Sequence, residues 1–408
     1  MAVGRLRALI STIDAIDGGV PTMTRCITGF LDELDIDPVL ACYAPWSLHP
    51  SLSVPLHALP SGRRPAQGIQ FSKDNREAHA LGCWLPELEF THYMQRRAWR
   101  DLIASCSLHL SVTGNPLCAL PYAQLGLPFL AWVATPWAAD RTDRVRRFSP
   151  PRRLLDRTLN SPVLRKLERR VLTAPQGKIL ALSRYTAEEL AQVAGRPMDG
   201  VMVMPVDTAT YRPRPDSVIP WRVGFTGRYG DPRKNIDLLL GAIQVLQRQG
   251  APVELYLAGE RDQTMLLPRL EAMAITERVH CLPPLQSHEL APLLQSLDVF
   301  VISSHQEGLC IAALEAMACG APVISSRCGG PEQFVIRGRT GDLVDSSPEA
   351  MAQAIRSVCS DRAHRQRLSQ GAKEWIAANA SLDSARGLFR HHLRACWPDL
   401  MHGAEVAS

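Results

Sequence analysis

No apolar run in this chain approaches the ~18 residues that a membrane-spanning helix needs. The opening MAVGRLRALISTID has an apolar part too short and too interrupted to read as a signal peptide. The eleven cysteines are odd in number and contain no CxxC pair, which argues against a disulfide framework and a structural zinc site and fits buried thiols in a reducing cytosol. There is no GxGxxG fingerprint and no P-loop pattern, so dehydrogenase and kinase chemistry lose ground. A net charge of +5 over 408 residues gives no case for nucleic acid as a partner. What remains is an ordinary globular composition, 46% hydrophobic and 21% charged, with length enough for two or three domains. Its charge is uneven: residues 140–170 hold eleven Arg or Lys against four acids.

Apolar runs and helical periodicities alternate along the chain. Strands are expected at 6–11, 39–42, 108–113, 129–133, 178–182 and 201–204. Between the first two lie Gly18-Gly19-Val20 and a helix from about Pro21 whose Met23, Cys26, Ile27, Phe30, Leu31 and Leu34 share one face. The glycine pair Gly18-Gly19 either lets backbone approach a phosphate or acceptor or makes a tight turn. Residues 44–86 are irregular and carry no assignment. One helix is expected over 90–104, and Thr186-x-x-Glu189 reads as a capping box for a helix ending near Gly195.

Pro205, Pro213, Pro215 and Pro220, with polar residues between them, have linker composition. The alternation then restarts, with strands at 222–225, 253–257, 279–282, 299–302 and 323–325 and a proline-started helix after Ser347. The tail from Asp361 to about Cys396 reads as helix throughout and could return to the first domain. The domains expected are 1–205, a linker at 206–220, a second domain at 221–380 and a C-terminal helix at 381–408.

Three glycine- or charge-bearing turns would meet at the carboxyl edge of the second sheet, where open α/β folds bind phosphorylated ligands. The first holds Gly227-Arg228 and Asp231-Pro232-Arg233-Lys234-Asn235, cations at a helix start suited to a diphosphate. The second is SSHQEGLCIAALEAMACG, residues 303–320, with Glu307 on the turn and Glu315 in the helix that follows. The third is Ser326-Arg327-Cys328-Gly329-Gly330-Pro331-Glu332. Two glutamates eight apart mean little alone; their position after a buried strand, facing a cationic pair, gives them weight.

In these residues the chain resembles the retaining family-4 glycosyltransferases of the GT-B fold, also called glycosyl transferases group 1. The similarity rests on Gly227-Arg228 with Arg233-Lys234-Asn235, on Glu307-x7-Glu315, on Gly329-Gly330-Pro331-Glu332 and on Thr340-Gly341-Asp342-Leu343-Val344. Leu182-Ser183-Arg184-Tyr185-Thr186 and Met204-Pro205-Val206-Asp207 extend it, while the first half matches in outline through Gly18-Gly19-Val20. The resemblance implies an α/β fold of two doubly wound Rossmann-like domains facing across a cleft. It implies a hexose-type sugar moved, with retention, from a nucleoside-diphosphate sugar to a hydroxyl acceptor in glycan, polysaccharide or glycolipid assembly. Arg228 and Lys234 would bind the diphosphate, Glu315 the ribose, and Glu307 the sugar hydroxyls, with Arg228, Lys234 and Glu307 as catalytic residues. Gly18, Gly19 and the amides of Gly308, Leu309 and Cys310 would add substrate contacts.

No metal and no further cofactor are expected; Asp35-Ile36-Asp37, a DxD triplet, reads as a solvated turn. Where many family members carry a histidine, after 129–133, this chain has Ala134-Thr135-Pro136-Trp137, and either Thr135 or Trp137 lines the cleft or Pro136 makes a structural turn. His305 is read as a hydrogen-bonded structural residue with a sugar contact as the alternative. The stretch with Arg141, Arg144, Arg146, Arg147, Arg152 and Arg153 around Trp137, Phe148, Leu154 and Leu155 has two readings: docking on anionic lipid or a lipid-linked acceptor, or a charged solvated face. The protein is expected in the cytoplasm, at most peripheral on the inner membrane face through 141–155. Other function classes are a sugar-nucleotide epimerase of similar architecture and a catalytically silent partner subunit.

Overall fold

The computed structural model describes residues 5–13, 19–43, 50–65, 69–73, 76–94, 96–146, 148–214, 218–259, 264 and 266–400. The chain divides into two compact units, 1–202 with 386–408, and 203–385.

The first unit is built on an eight-stranded sheet. Its strands are β1 (Arg7–Ile13), β2 (Asp37–Tyr43), β3 (Ile69–Lys73), β4 (Arg76–Leu81), β5 (Leu108–Thr113), β6 (Phe129–Val133), β7 (Gly177–Ala181) and β8 (Gly200–Val201), in the order β3-β4-β2-β1-β5-β6-β7-β8. Only β3 runs antiparallel to its neighbour. The central strands are buried on both faces, as their near-continuous apolar runs require. β3 and β4 fall in the segment that carried no assignment: β4 reads REAHAL, whose charged and polar residues mask the buried Ala78, Ala80 and Leu81.

Several local expectations are corrected. Gly19 opens the helix Gly19–Asp32 and is not a loop residue, while Gly18 lies outside the described residues. The expected helix at 90–104 is a 3-10 turn, Glu89–Tyr93, followed by a helix, Arg97–Ala104. That break lets both Tyr93 and Trp99 reach the Tyr43 ring, at 5.3 and 4.8 Å between centroids. The cap of helix Arg184–Ala194 is Ser183, whose hydroxyl accepts from Thr186 N–H at 3.0 Å, so Thr186 is inside the helix. The tail is two helices, Arg362–Asn379 and Leu382–Cys396, interrupted at Ala380, whose carbonyl accepts from Val206 N–H. The second carries Phe389 onto Phe30, with centroids 5.7 Å apart, and Arg386 onto Glu33. Asp35 turns at φ 57° and pairs with Arg5 at 2.7 Å, and Asp37 pairs with Arg7.

The second unit holds a wholly parallel six-stranded sheet: β9 (Arg222–Thr226), β10 (Glu254–Ala258), β11 (Val279–Leu282), β12 (Val299–Ile302), β13 (Val323–Ser326) and β14 (Gly341–Val344). The order β11-β10-β9-β12-β13-β14 reverses direction between β9 and β12. The turns leaving those two strands therefore diverge above a switch point, where doubly wound sheets open a crevice for a ligand. Helices Ile236–Arg248 and Pro348–Ser360 cover one face through Leu239, Ile243, Met351 and Ile355. Ser347 caps the second of these and Pro348 starts it.

Candidate active site at the switch point of the second sheet

After β9 the chain makes a tight cationic turn. Asp231 accepts from Arg233 N–H at 3.0 Å and Pro232 fixes the first position of the 3-10 turn Pro232–Lys234. Asn235 closes it at φ 45°, a conformation its short amide tolerates. After β12, Ser303 donates its hydroxyl to the Lys234 carbonyl at 2.8 Å, and His305 N–H donates to the Arg233 carbonyl at 2.8 Å. The two turns are thereby joined across the switch point. A third is added where Glu307 N–H donates to the Cys328 carbonyl at 2.8 Å and Gly330 N–H donates to the Glu307 carbonyl at 2.9 Å. Gly330 is required here, because a Cβ on it would stand 2.2 Å from the Gly308 carbonyl oxygen.

This junction brings Lys234 Nζ to 2.6 Å from Glu307 Oε1. Ser304 donates its hydroxyl to the same oxygen at 2.6 Å. Both charged side chains are largely buried, at 20% and 12% exposed. Burial opposes the Lys234 charge, the Glu307 carboxylate outweighs it, and the ammonium pKa lies above its ordinary value. The pair is a preformed cation and carboxylate beside the start of helix Ile311–Ala318, the positive end of its dipole.

Glu315 lies one helix turn further on. Burial pushes its carboxyl up to about 7, opposed by a hydrogen bond from Tyr211. Arg228 pairs with Asp231 at 3.7 Å and keeps 73% of its side chain exposed, so it stands at the outer rim. Arg233 is held by Asp231 at 2.8 Å. Gly308 and Leu309 complete the turn, Leu309 pointing into the core, and Cys310 caps the helix at φ 71°. His305 is exposed, with its backbone pinned as described. Sequence reading did not single out Ser303, Ser304, Asp231 or Tyr211 as site residues. The first two were signalled by paired hydroxyls at the end of a buried strand; Tyr211, far off in sequence, gave no signal. Among the described residues no cluster of three or more His, Cys, Asp or Glu could hold a metal.

In the first unit, Trp137 is 2% exposed, its indole donates to Glu89 at 2.9 Å and its N–H to Glu168 at 2.8 Å. It is a core anchor, which corrects the reading that has it lining a cleft. Thr135 N–H donates to the Gly114 carbonyl, and its hydroxyl is buried without a partner among the described residues. Arg141 is also corrected. It is 3% exposed and bound to Asp156 at 2.6 Å, so it is no part of a basic surface. Arg147 lies outside the described residues, as do the side chains of Arg144 and Arg146. Arg152, Arg153, Leu154, Leu155, Arg157 and Leu159 do face outward.

Comparison with known proteins places the three turns within one matched family segment. Residues 220–361, which contain all three turns, match the family described as glycosyl transferases group 1. A D-inositol 3-phosphate glycosyltransferase of Xylanimonas cellulosilytica is 29% identical over 221 residues, 50% of this chain and 53% of that protein. A GDP-mannose-dependent alpha-(1-6)-phosphatidylinositol monomannoside mannosyltransferase of Mycolicibacterium smegmatis is 28% identical over 48% of this chain and 57% of its own. The chain spans about half the length of the curated relatives it matches. Among solved structures, sucrose-phosphate synthase from Thermosynechococcus elongatus superposes with a TM-score of 0.74 at 17% identity, covering 97% of this chain and 100% of that one. Anabaena HepE in complex with UDP gives 0.70 at 14% identity, covering 96% and 100%. Each unit is a Rossmann-like α/β domain, and the fold is GT-B.

Proposed function

We propose that the protein is a retaining glycosyltransferase that moves a hexose-type sugar from a nucleoside-diphosphate sugar to a hydroxyl acceptor in glycan, polysaccharide or glycolipid assembly. The observation that carries this reading is the Lys234–Glu307 pair at the switch point, 2.6 Å apart and inside the family-matched segment. Breaking the sugar–phosphate bond builds positive charge at the anomeric carbon and negative charge on the departing diphosphate. Lys234, with Arg228 at the rim and the first N–H groups of helix Ile311–Ala318, would stabilise that diphosphate. Glu307 would accept from the sugar hydroxyls, and Glu315 from the ribose. With Glu307 and Glu315 engaged by hydroxyls in this reading, attack occurs on the face the leaving group departs from, and a phosphate oxygen takes the acceptor proton.

We extend the proposal to a lipid-linked acceptor met at the inner membrane face, the protein being cytoplasmic and peripheral. Supporting this, helix Pro150–Leu155 and the π-turn Asp156–Asn160 expose Leu154 (63%), Leu155 and Leu159 beside Arg152, Arg153 and Arg157. All eleven cysteines are free. No helix among the described residues is long and apolar enough to cross a membrane.

The test incubates UDP- and GDP-sugars with D-inositol 3-phosphate and with lipid-linked saccharides. The expected result is free nucleoside diphosphate released only with an acceptor, and a product with the donor's anomeric configuration by NMR. Donor isomerised without acceptor would indicate an epimerase, and an inverted product would contradict the same-face mechanism.

A further inference from the structure

Away from the second sheet, the first unit builds a nucleophile and a base onto one another. Past β4 the chain runs Gly82-Cys83-Trp84 alongside residues 52–54. Val54 N–H donates to the Cys83 carbonyl at 3.0 Å and Leu85 N–H to the Val54 carbonyl at 2.9 Å. Gly82 permits this approach, because a Cβ there would run into the Leu52 carbonyl oxygen. The pairing seats Cys83, 4% exposed, against the buried hydroxyl of Ser53. That oxygen accepts from Cys83 N–H at 2.9 Å and lies 3.5 Å from Cys83 Sγ, so its own proton can be donated to the sulfur. The turn after Leu85 is pinned by the Thr91 hydroxyl, which donates to the Leu88 carbonyl at 2.7 Å, and it returns His92 to the same sulfur. His92 Nε2 lies 3.1 Å from the Pro86 carbonyl, which can only accept. Nε2 therefore carries a proton, and Nδ1 is left for the hydrogen bond with Cys83. Arg96 places a second positive charge within electrostatic reach of the thiol, and Glu89 a negative one within reach of the imidazole.

We infer that Cys83 and His92 form a thiolate–imidazolium pair, and that Cys83 is a modification site whose reactant is hydrogen peroxide. The proton passes from Sγ to His92 Nδ1, and the thiolate attacks one peroxide oxygen. An S–O bond forms as the O–O bond breaks, so the sulfur is oxidised to a sulfenic acid and the peroxide reduced. The departing hydroxide takes the proton from His92 and leaves as water. Small exposure selects the reactant by size, and the Ser53 hydroxyl with the two cations supports the sulfur's charge. Burial pushes the Cys83 thiol up, but His92, Ser53 and Thr91 together outweigh it and hold it below its ordinary value. Burial likewise opposes the His92 charge, and its bond with Cys83 outweighs that, raising the imidazole. Burial instead pushes Cys26, Cys319, Cys328 and Cys396 up to about 12.

The test treats the folded full chain with hydrogen peroxide, quenches with catalase and unfolds it in dimedone, which caps sulfenic acids. Mass spectrometry then counts the cap on each cysteine peptide. Cys83 is expected to oxidise about tenfold or more faster than any other cysteine, including the more accessible Cys26, Cys281, Cys359 and Cys396. Its rate should also hold to lower pH than theirs. H92Q, with its melting temperature checked, should slow Cys83 by about tenfold or more, give it the pH dependence of the other thiols and leave their rates unchanged. Cys83 oxidised no faster than the accessible cysteines in wild type overturns the proposal. So does a folded H92Q in which Cys83 keeps its wild-type rate. Where H92Q does not fold, the wild-type ranking and its pH profile decide by themselves.

Discussion

At the scale of single residues, the site is poised by burial. Glu315 is held near neutrality because the fold removes its carboxyl from water, with the Tyr211 hydrogen bond acting the other way. Its folded pKa of about 7 is raised above the unfolded value. The folded state therefore holds a proton that the unfolded state releases, and this group's stability contribution is lost as pH rises from the ordinary carboxylate range through about 7. Ribose hydroxyls bind the ionised carboxylate better, so donor binding carries the opposite dependence. Affinity for the nucleoside diphosphate is expected to tighten by about tenfold between pH 6 and pH 8, the change in ionised fraction for a group with pKa near 7. Titration calorimetry across that window should show the slope in wild type and its loss in Glu315→Gln; a slope surviving in E315Q would move the pH dependence to another group.

At the scale of elements, the strongest expectation concerns the segment Pro150–Asn160. It is anchored by the buried Asp156, which takes Arg141, Asn160 and Ser161, and it turns its leucines outward. Each Lys or Arg near an anionic surface contributes about 1 kcal/mol, screened by salt. Wild type should cosediment with vesicles containing phosphatidylglycerol and not with pure phosphatidylcholine, and L154E/L155E should abolish the binding. Equal binding by the variant would return the segment to an ordinary solvated face. The elements also show what was legible in advance. β12 is a short apolar run with sharp polar edges, Asp298 and Ser303, and its bounds follow from that. The hairpin of β3 and β4 was hidden because an edge strand with charged residues has too weak a period-two signal. The helix expected at 90–104 broke because aromatic packing onto Tyr43 outweighed local periodicity.

At the scale of the whole molecule, two sheets of different register logic share one chain. The second reverses strand order between β9 and β12, and the turns from those strands hold Lys234 and Glu307. Their convergence was readable from motif order because parallel sheets put every strand-to-helix turn on one edge. The supporting hydrogen bonds of Ser303, Ser304 and His305 were not, since they join residues about 70 apart in sequence or depend on the exact turn geometry. In the first unit the reading was thinner. Glycines signal a close approach only in context, and Gly19 proved to be a helix start.

The central claim is that the Lys234–Glu307 junction receives a sugar attached to a diphosphate. It is tested most directly by a thermal-shift panel of UDP-, GDP- and ADP-sugars on wild type, Lys234→Ala and Glu307→Ala, because a ligand that binds only the folded state raises its melting temperature. One donor should stabilise the wild type. K234A should weaken that donor and its free nucleoside diphosphate by about ten- to hundredfold, the loss of one charged hydrogen bond. E307A should weaken the sugar donor more than the free diphosphate. Undiminished stabilisation of both variants by the donor that stabilises wild type would contradict the account.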